Sequence, residues 1–145
     1  MRNCICDYGT CIEKGKIVWN NNQGSFIHIR IDGCVIKNNL TNACDCIIIF
    51  LPFNNDKLIT FIVELKDSYG YSLDKIKCQL QICIDKILAE SIIIQTKSLI
   101  IPILYANRHI SNAKRIFHSY FIKIRGKKQN IIYLKYGENI LNSLK

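Results

Sequence analysis

Residues 59–67 read ITFIVELKD, and this stretch decides how the rest of the chain is arranged. Its first five residues are all β-branched or aromatic, which suits a strand buried on both faces. Two charges follow, Glu64 and Lys66, with Leu65 between them. Side chains alternate along a strand, so Glu64 and Lys66 share one face while Val63 and Leu65 share the other. An acid and a base at the end of an apolar strand are costly to desolvate. Such a pair is either salt-bridged or chemically employed.

Upstream, residues 44–50 read CDCIIIF, and Asp45 opens a second apolar strand over 46–51. The segment PFNND (52–56) is turn chemistry, so the two strands are expected to form a hairpin. Folding it back brings Asp45, at the start of one strand, beside Glu64 and Lys66, at the end of the other. Two carboxylates and one ammonium suit a divalent cation: Mg²⁺ takes one or two carboxylates together with substrate phosphate and water. A lysine beside it can orient the attacking water and offset phosphate charge.

Asp45 followed on the next strand by Glu64-Leu65-Lys66 resembles the PD-(D/E)XK nuclease superfamily, with its restriction-endonuclease-like fold. The resemblance spans roughly residues 27–105 and takes in a following helix with Gln79 and Leu80 and a further strand. It implies a metal-dependent endonuclease that hydrolyses phosphodiester bonds of nucleic acid with Mg²⁺ or Mn²⁺, with DNA expected ahead of RNA and the choice between them left open by the sequence. Asp45 and Glu64 would bind the metal, and Lys66 would assist the nucleophilic water. Gln79 lies where the family often has a glutamine near its active site, contacting metal-bound water or substrate backbone. On its own position at the edge of a helical stripe, Gln79 fits equally well as a boundary residue hydrogen-bonded to a neighbouring loop. Cys44 stands where a proline would precede the aspartate. Glu13 is the candidate for the acid that the family often draws from its first helix. One such site cuts one strand, so cutting both requires a homodimer or two events.

With 145 residues, 49% hydrophobic and 21% charged, the chain has the composition of one globular domain with a sizeable core. The expected fold class is α/β (α+β), a single domain with a central mixed sheet and flanking helices. Residues 1–24 form a cysteine-containing N-terminal extension. Residues 1–10 lack the apolar region of a secretory signal. The most apolar later stretch, 92–104, is interrupted by Gln95, Lys97 and Pro102 and is too short to span a bilayer. A cytoplasmic protein without a membrane partner is expected.

Eight cysteines then read as thiols or metal ligands rather than disulfides. Cys44, Cys46 and Cys83 are expected as small buried hydrophobes, with Cys44 and Cys46 facing away from Asp45. For Cys4, Cys6 and Cys11, with Cys34 as a fourth, a structural zinc is the minor alternative, since the closest spacing is only Cys-x-Cys.

Residues 16–19 and 25–31 read as two short strands around an Asn-rich turn. In the second, Ile27, Ile29 and Ile31 line one face and His28, Arg30 and Asp32 the other. His28 reads as a surface histidine, and Asp32 as a solvated strand end rather than a further ligand. Ser72 is a good N-cap for a helix whose apolar stripe runs Leu73, Ile76, Leu80, Cys83, Ile84, Ile87 and Leu88. A strand over 99–105 follows, and its Pro102 suggests an edge or a bulge. Strand, helix and strand favour a right-handed crossover with parallel pairing. A short helix is expected over 111–119, then a hairpin of 120–125 with 131–136 across 126–130.

Residues 91–137 hold nine lysines and arginines and no acid. Lys114, Arg115, Lys123, Arg125, Lys127 and Lys128 are the candidates for gripping nucleic acid. The remainder of the chain has eleven charges of each sign, so the whole net charge of +9 lies in this one third. That asymmetry is the electrostatic footprint of a polyanion partner, bound through its phosphates. Tyr105, Tyr120, Phe121 and Tyr133 are interleaved; such rings can stack on unpaired bases, but they read first as core residues. A nuclease is therefore the leading expectation. A non-catalytic nucleic-acid-binding module on the same fold comes second, and a zinc-stabilised interaction protein third.

Overall fold

The computed structural model describes residues 4–6, 15–35, 43–67, 72–90, 98–107, 116–117 and 119–145. In chain order the elements are β1 (Ile5–Cys6), β2 (Gly24–Arg30), β3 (Cys46–Pro52), β4 (Ile59–Lys66), α1 (Leu73–Glu90), β5 (Leu99–Ala106), β6 (Phe121–Ile124), β7 (Lys127–Asn130) and β8 (Ile132–Lys135). A six-stranded mixed sheet has the order β1-β2-β3-β4-β5-β8, and β6 with β7 forms a separate ribbon. β1 to β4 run antiparallel to one another, whereas β4, β5 and β8 are parallel. The chain is thus a mixed α/β fold built on one central sheet.

The β-branched run of β4 makes it the axis of this sheet. Every residue from Ile59 to Glu64 is buried, and the alternation of its side chains splits the core in two. Ile62 points to the side of α1, where it meets Ile47, Ile76, Leu80, Ile84 and Leu104. Phe61 and Val63 point to the opposite side and meet Ile48, Phe50, Ile103 and Tyr105, with Ile17 and Ile140 laid over them. Burying each such side chain is worth roughly 1.5–3 kcal/mol. α1 begins as its sequence directs: the Ser72 hydroxyl accepts the Lys75 amide at 3.3 Å. Its stripe of Ile76, Leu80, Cys83 and Ile84 is buried against the sheet.

Several expectations are corrected. Residues 16–19 do not pair with β2; Val18 instead makes an isolated parallel bridge to Asn139. Both faces of β2 are covered: Ile31 is buried in the helix-side core and Ile29 packs against it, and only the far end of the isoleucine face opens to solvent. Ile27 is 46% exposed, while His28 is buried edge-on to Trp19. The face opposite the isoleucines is covered by residues 17–19, which no local pattern announces. Pro102 lies in an internal strand, yet β8 pairs with β5 only from Ile103 onward, so the proline meets no ladder partner on that side among the described residues. The last hairpin is β6 with β7, not residues 120–125 with 131–136. Arg125 (φ 51°) and Gly126 (φ 78°) form a two-residue turn with both centres left-handed, which reverses the chain at once. Residues 132–135 are thereby released to extend the main sheet beside β5.

Cysteine chemistry differs as well. Cys4 is disulfide-bonded to Cys34, with Cα atoms 5.6 Å apart, because β1 pairs with β2 and the turn after β2 returns Cys34 to it. Cys44 is bonded to Cys83 of α1. A zinc site drawing on Cys4 and Cys34 is excluded while they are so paired; Cys11 lies outside the described residues. Cys46 faces away from Asp45 into the core, as expected. Cys44, ahead of the regular strand, sits in the helix-side core with Cys83.

Candidate active site

The end of β4 and the start of β3 meet where the regular ladder finishes. Cys46 is opposite Val63, and the Asp45 amide donates to the Val63 carbonyl at 3.1 Å. Continuing that register places Asp45 opposite Glu64. Residues directly opposite in an antiparallel pair point to the same face, here the face of α1. The sequence expectation that Asp45, Glu64 and Lys66 converge is met in the structure.

The three are differently satisfied. Asp45 Oδ2 accepts the Leu65 amide at 2.7 Å, which fixes its carboxylate against β4. Lys66 Nζ donates to Glu64 Oε1 and lies 3.5 Å from Gln79 Oε1. Gln79 reaches across from the second turn of α1, and its Nε2 is 3.5 Å from the Ala43 carbonyl. This residue is therefore both a neighbour of the lysine and a tie to the segment that presents Asp45. Glu64 is 1% exposed, and its second oxygen, Oε2, has no hydrogen-bond partner among the described residues.

That environment holds the Glu64 carboxyl far above the usual carboxylate range, at about 8. Burial is the largest cause, and the adjacent Asp45 carboxylate adds to it; the Lys66 ammonium pulls the other way but does not offset them. Two carboxylates forced together in a poorly solvated place, with one lysine bonded to Glu64, favour an added positive charge. Among the described residues no group of three or more His, Cys, Asp or Glu side chains gathers to hold a metal. A cation here would rest on two protein carboxylates, the ligand count that suits Mg²⁺ with water and phosphate completing its shell.

Asp32 is exposed, as expected, although its amide lies 3.4 Å from the Asp45 carbonyl. Glu13 lies outside the described residues, as do Lys114 and Arg115. Lys123, Lys127 and Lys128 are exposed on the β6–β7 ribbon, whereas an Arg125 guanidinium nitrogen lies 3.4 Å from the Ser98 carbonyl. Of the aromatic candidates, Tyr105 is fully buried and Tyr133 stacks on Phe117 at 5.9 Å. Both are packing residues.

Three residues beside the site escaped the sequence reading. Lys16 binds Asp67 at 2.9 Å, and its ammonium lies over the Tyr136 ring. The buried Tyr136 hydroxyl makes no hydrogen bond of good geometry among the described residues. Its pKa is pushed up by burial first, then by Asp67, with Asp45 and Glu64 contributing. The parallel placement of β8 carries Tyr136 to this rim, and no local signal distinguishes that from the hairpin expected there. No protein-family model, curated protein or solved structure matches the chain.

Proposed function

We propose that this protein is a metal-dependent nuclease of the PD-(D/E)XK type, with a restriction-endonuclease-like fold, hydrolysing phosphodiester bonds of nucleic acid, DNA in the first instance. The observation that carries this reading is the Glu64 carboxyl, almost fully buried and set beside the Asp45 carboxylate, with Lys66 on Oε1 and no donor to Oε2 among the described residues. An orphaned acceptor of this kind costs about 1–3 kcal/mol or more, a cost that a bound cation removes.

Asp45 and Glu64 would hold Mg²⁺ or Mn²⁺, which supplies Lewis-acid polarisation and acidifies a bound water. Lys66, already bonded to Glu64, is placed to offset charge on the phosphate and to orient the attacking water. Water adds to phosphorus and gives up one proton to solvent. The P–O bond on the far side breaks, and the leaving oxygen takes up a proton from solvent, so that the net change is the addition of one water. Gln79 holds Lys66 from the helix side and keeps α1 tied to the Asp45 segment.

A second reading is favoured by one detail. Asp45 Oδ2 already accepts a backbone amide, and Lys66 already pairs with Glu64, so the network is partly closed and would also suit a non-catalytic nucleic-acid-binding module. The test is cleavage of a panel of single-stranded, duplex and branched DNA and RNA with Mg²⁺ or Mn²⁺. The nuclease reading expects cutting by wild type that is lost in Glu64→Ala and Lys66→Ala, with binding retained. A wild-type protein that binds the panel and never cuts would put the binding module first.

A further inference from the structure

The β6–β7 ribbon collects positive charge in a way that the fold itself does not need. Phe121 and Lys123 share one face of the ribbon with Lys128, because Lys123 stands directly opposite Lys128 and Phe121 opposite Asn130. Like charges directly opposite each other destabilise an antiparallel pair. A third lysine joins them from another element: Lys77 of α1 lies 5.2 Å from the centre of the Phe121 ring, and Lys128 lies 4.3 Å from it. The ring attracts both ammonium groups, and none of the three lysines forms an ion pair among the described residues. Two hydrogen bonds lock the ribbon to the helix, from Gln81 Nε2 to the Lys123 carbonyl and from the Lys123 amide to Gln81 Oε1. The cluster is therefore assembled before any ligand arrives.

We infer that Lys77, Lys123 and Lys128, gathered around Phe121, form a preassembled phosphate-binding surface for the backbone of a single nucleic-acid strand. Mutual repulsion that is unfavourable in the free protein is relieved when a polyanion lies across it. Because both ammonium groups rest on the Phe121 ring, the ring gathers charge rather than stacking on bases, and binding is independent of sequence.

The position of the surface also sets a substrate length. At roughly 100° per residue, Lys77 and Gln81 fall on one flank of α1, and Gln79 falls on the other. The phosphate surface and the Glu64 cluster thus lie on opposite flanks of a helix about 10 Å across. A strand touching both must run several nucleotides past the cut bond. This extends the nuclease reading, on which the link to cleavage rests, but the binding surface stands or falls separately.

The experiment is fluorescence anisotropy with a labelled 20-nucleotide oligo-dT and the full chain in EDTA, so that binding is read without cleavage. The Lys77→Ala/Lys128→Ala double variant is compared with Lys57→Ala/Lys145→Ala, which removes two exposed lysines elsewhere. Circular dichroism checks that each is folded. The first pair should weaken binding about tenfold or more and lower the salt slope by about 1.4, at ~0.7 per neutralised phosphate. Phe121→Leu should give a smaller loss of the same kind. Equal losses from the two lysine pairs, with equal salt slopes, would overturn the inference. Lys77 and Lys128 dependence in a protein that never cuts with Mg²⁺ would leave this surface standing and remove the nuclease reading instead.

Discussion

The rim of β3 and β4 and the β6–β7 ribbon both crowd charges together, but they do so in different media. At the rim, Asp45 and Glu64 meet where Glu64 is almost fully buried, and its carboxyl holds its proton to about pH 8. On the ribbon, Lys123 and Lys128 are just as directly opposed, yet both are exposed, and no comparable penalty builds up. Two charges 4 Å apart interact by about 1 kcal/mol in water and about 4 kcal/mol at the effective dielectric of a protein boundary. The same crowding shifts a proton equilibrium in one place and leaves a loose electrostatic surface in the other.

The largest consequence should be kinetic. Glu64→Ala should reduce cleavage at least 10³-fold, and Lys66→Ala on the order of 10²–10⁴-fold, in single-turnover assays with Mg²⁺. Variants that cut at the wild-type rate would show that the buried crowding has no catalytic use.

Next comes pH. Glu64 holds its proton more tightly in the fold than in the unfolded chain, where its ordinary value is 4.5. Its contribution is therefore most favourable below about pH 4.5 and is lost as pH rises toward 8, with a slope up to ~1.4 kcal/mol per unit. Urea denaturation in EDTA at pH 5, 6.5 and 8 should show this decline, Glu64→Gln should flatten it, and Mg²⁺ should restore most stability at pH 8. A decline of the same steepness in Glu64→Gln would assign it to another group.

On the ribbon, the turn should matter more than its charges. Gly126→Ala places a side chain at φ 78° and should cost about 1 kcal/mol, read from the denaturation midpoint. Lys123→Glu turns a repulsive cross-strand pair into an attractive one and should stabilise the protein by only about 0.2–1 kcal/mol. A gain of several kcal/mol there would mean that the ribbon is far less solvated than its exposure indicates.

What could be read in the chain follows the reach of each signal. The β-branched run of β4, the stripe of α1 from Ile76 to Ile84 and the Ser72 cap are local patterns, and all three appear as expected; the side chains of Ile87 and Leu88 lie outside the described ones. The convergence of Asp45, Glu64 and Lys66 was also legible, because one short connection and strand alternation determine it. His28 was misread because its cover comes from Trp19, outside its own strand. The Arg125–Gly126 reversal was missed because arginine is an uncommon residue at positive φ, so the five residues 126–130 looked like the loop. The Cys4–Cys34 and Cys44–Cys83 links depend on which distant strands and helices meet, and spacing alone does not encode that.

The isolated bridge between Val18 and Asn139 has a consequence for how the fold is reached. Asn139 follows β8, and the Ile140 amide bonds the Val18 carbonyl at 2.8 Å, over a core face that includes Ile17 and Ile140. The residues that close this face lie more than a hundred positions apart in the chain, the kind of pairing that makes folding slow. During synthesis, Ile17 can settle on the residues of β3 and β4 early, but the Ile140 side of this face is added only when residue 140 has been made. The interval between those two events is when this protein is most open to misassociation.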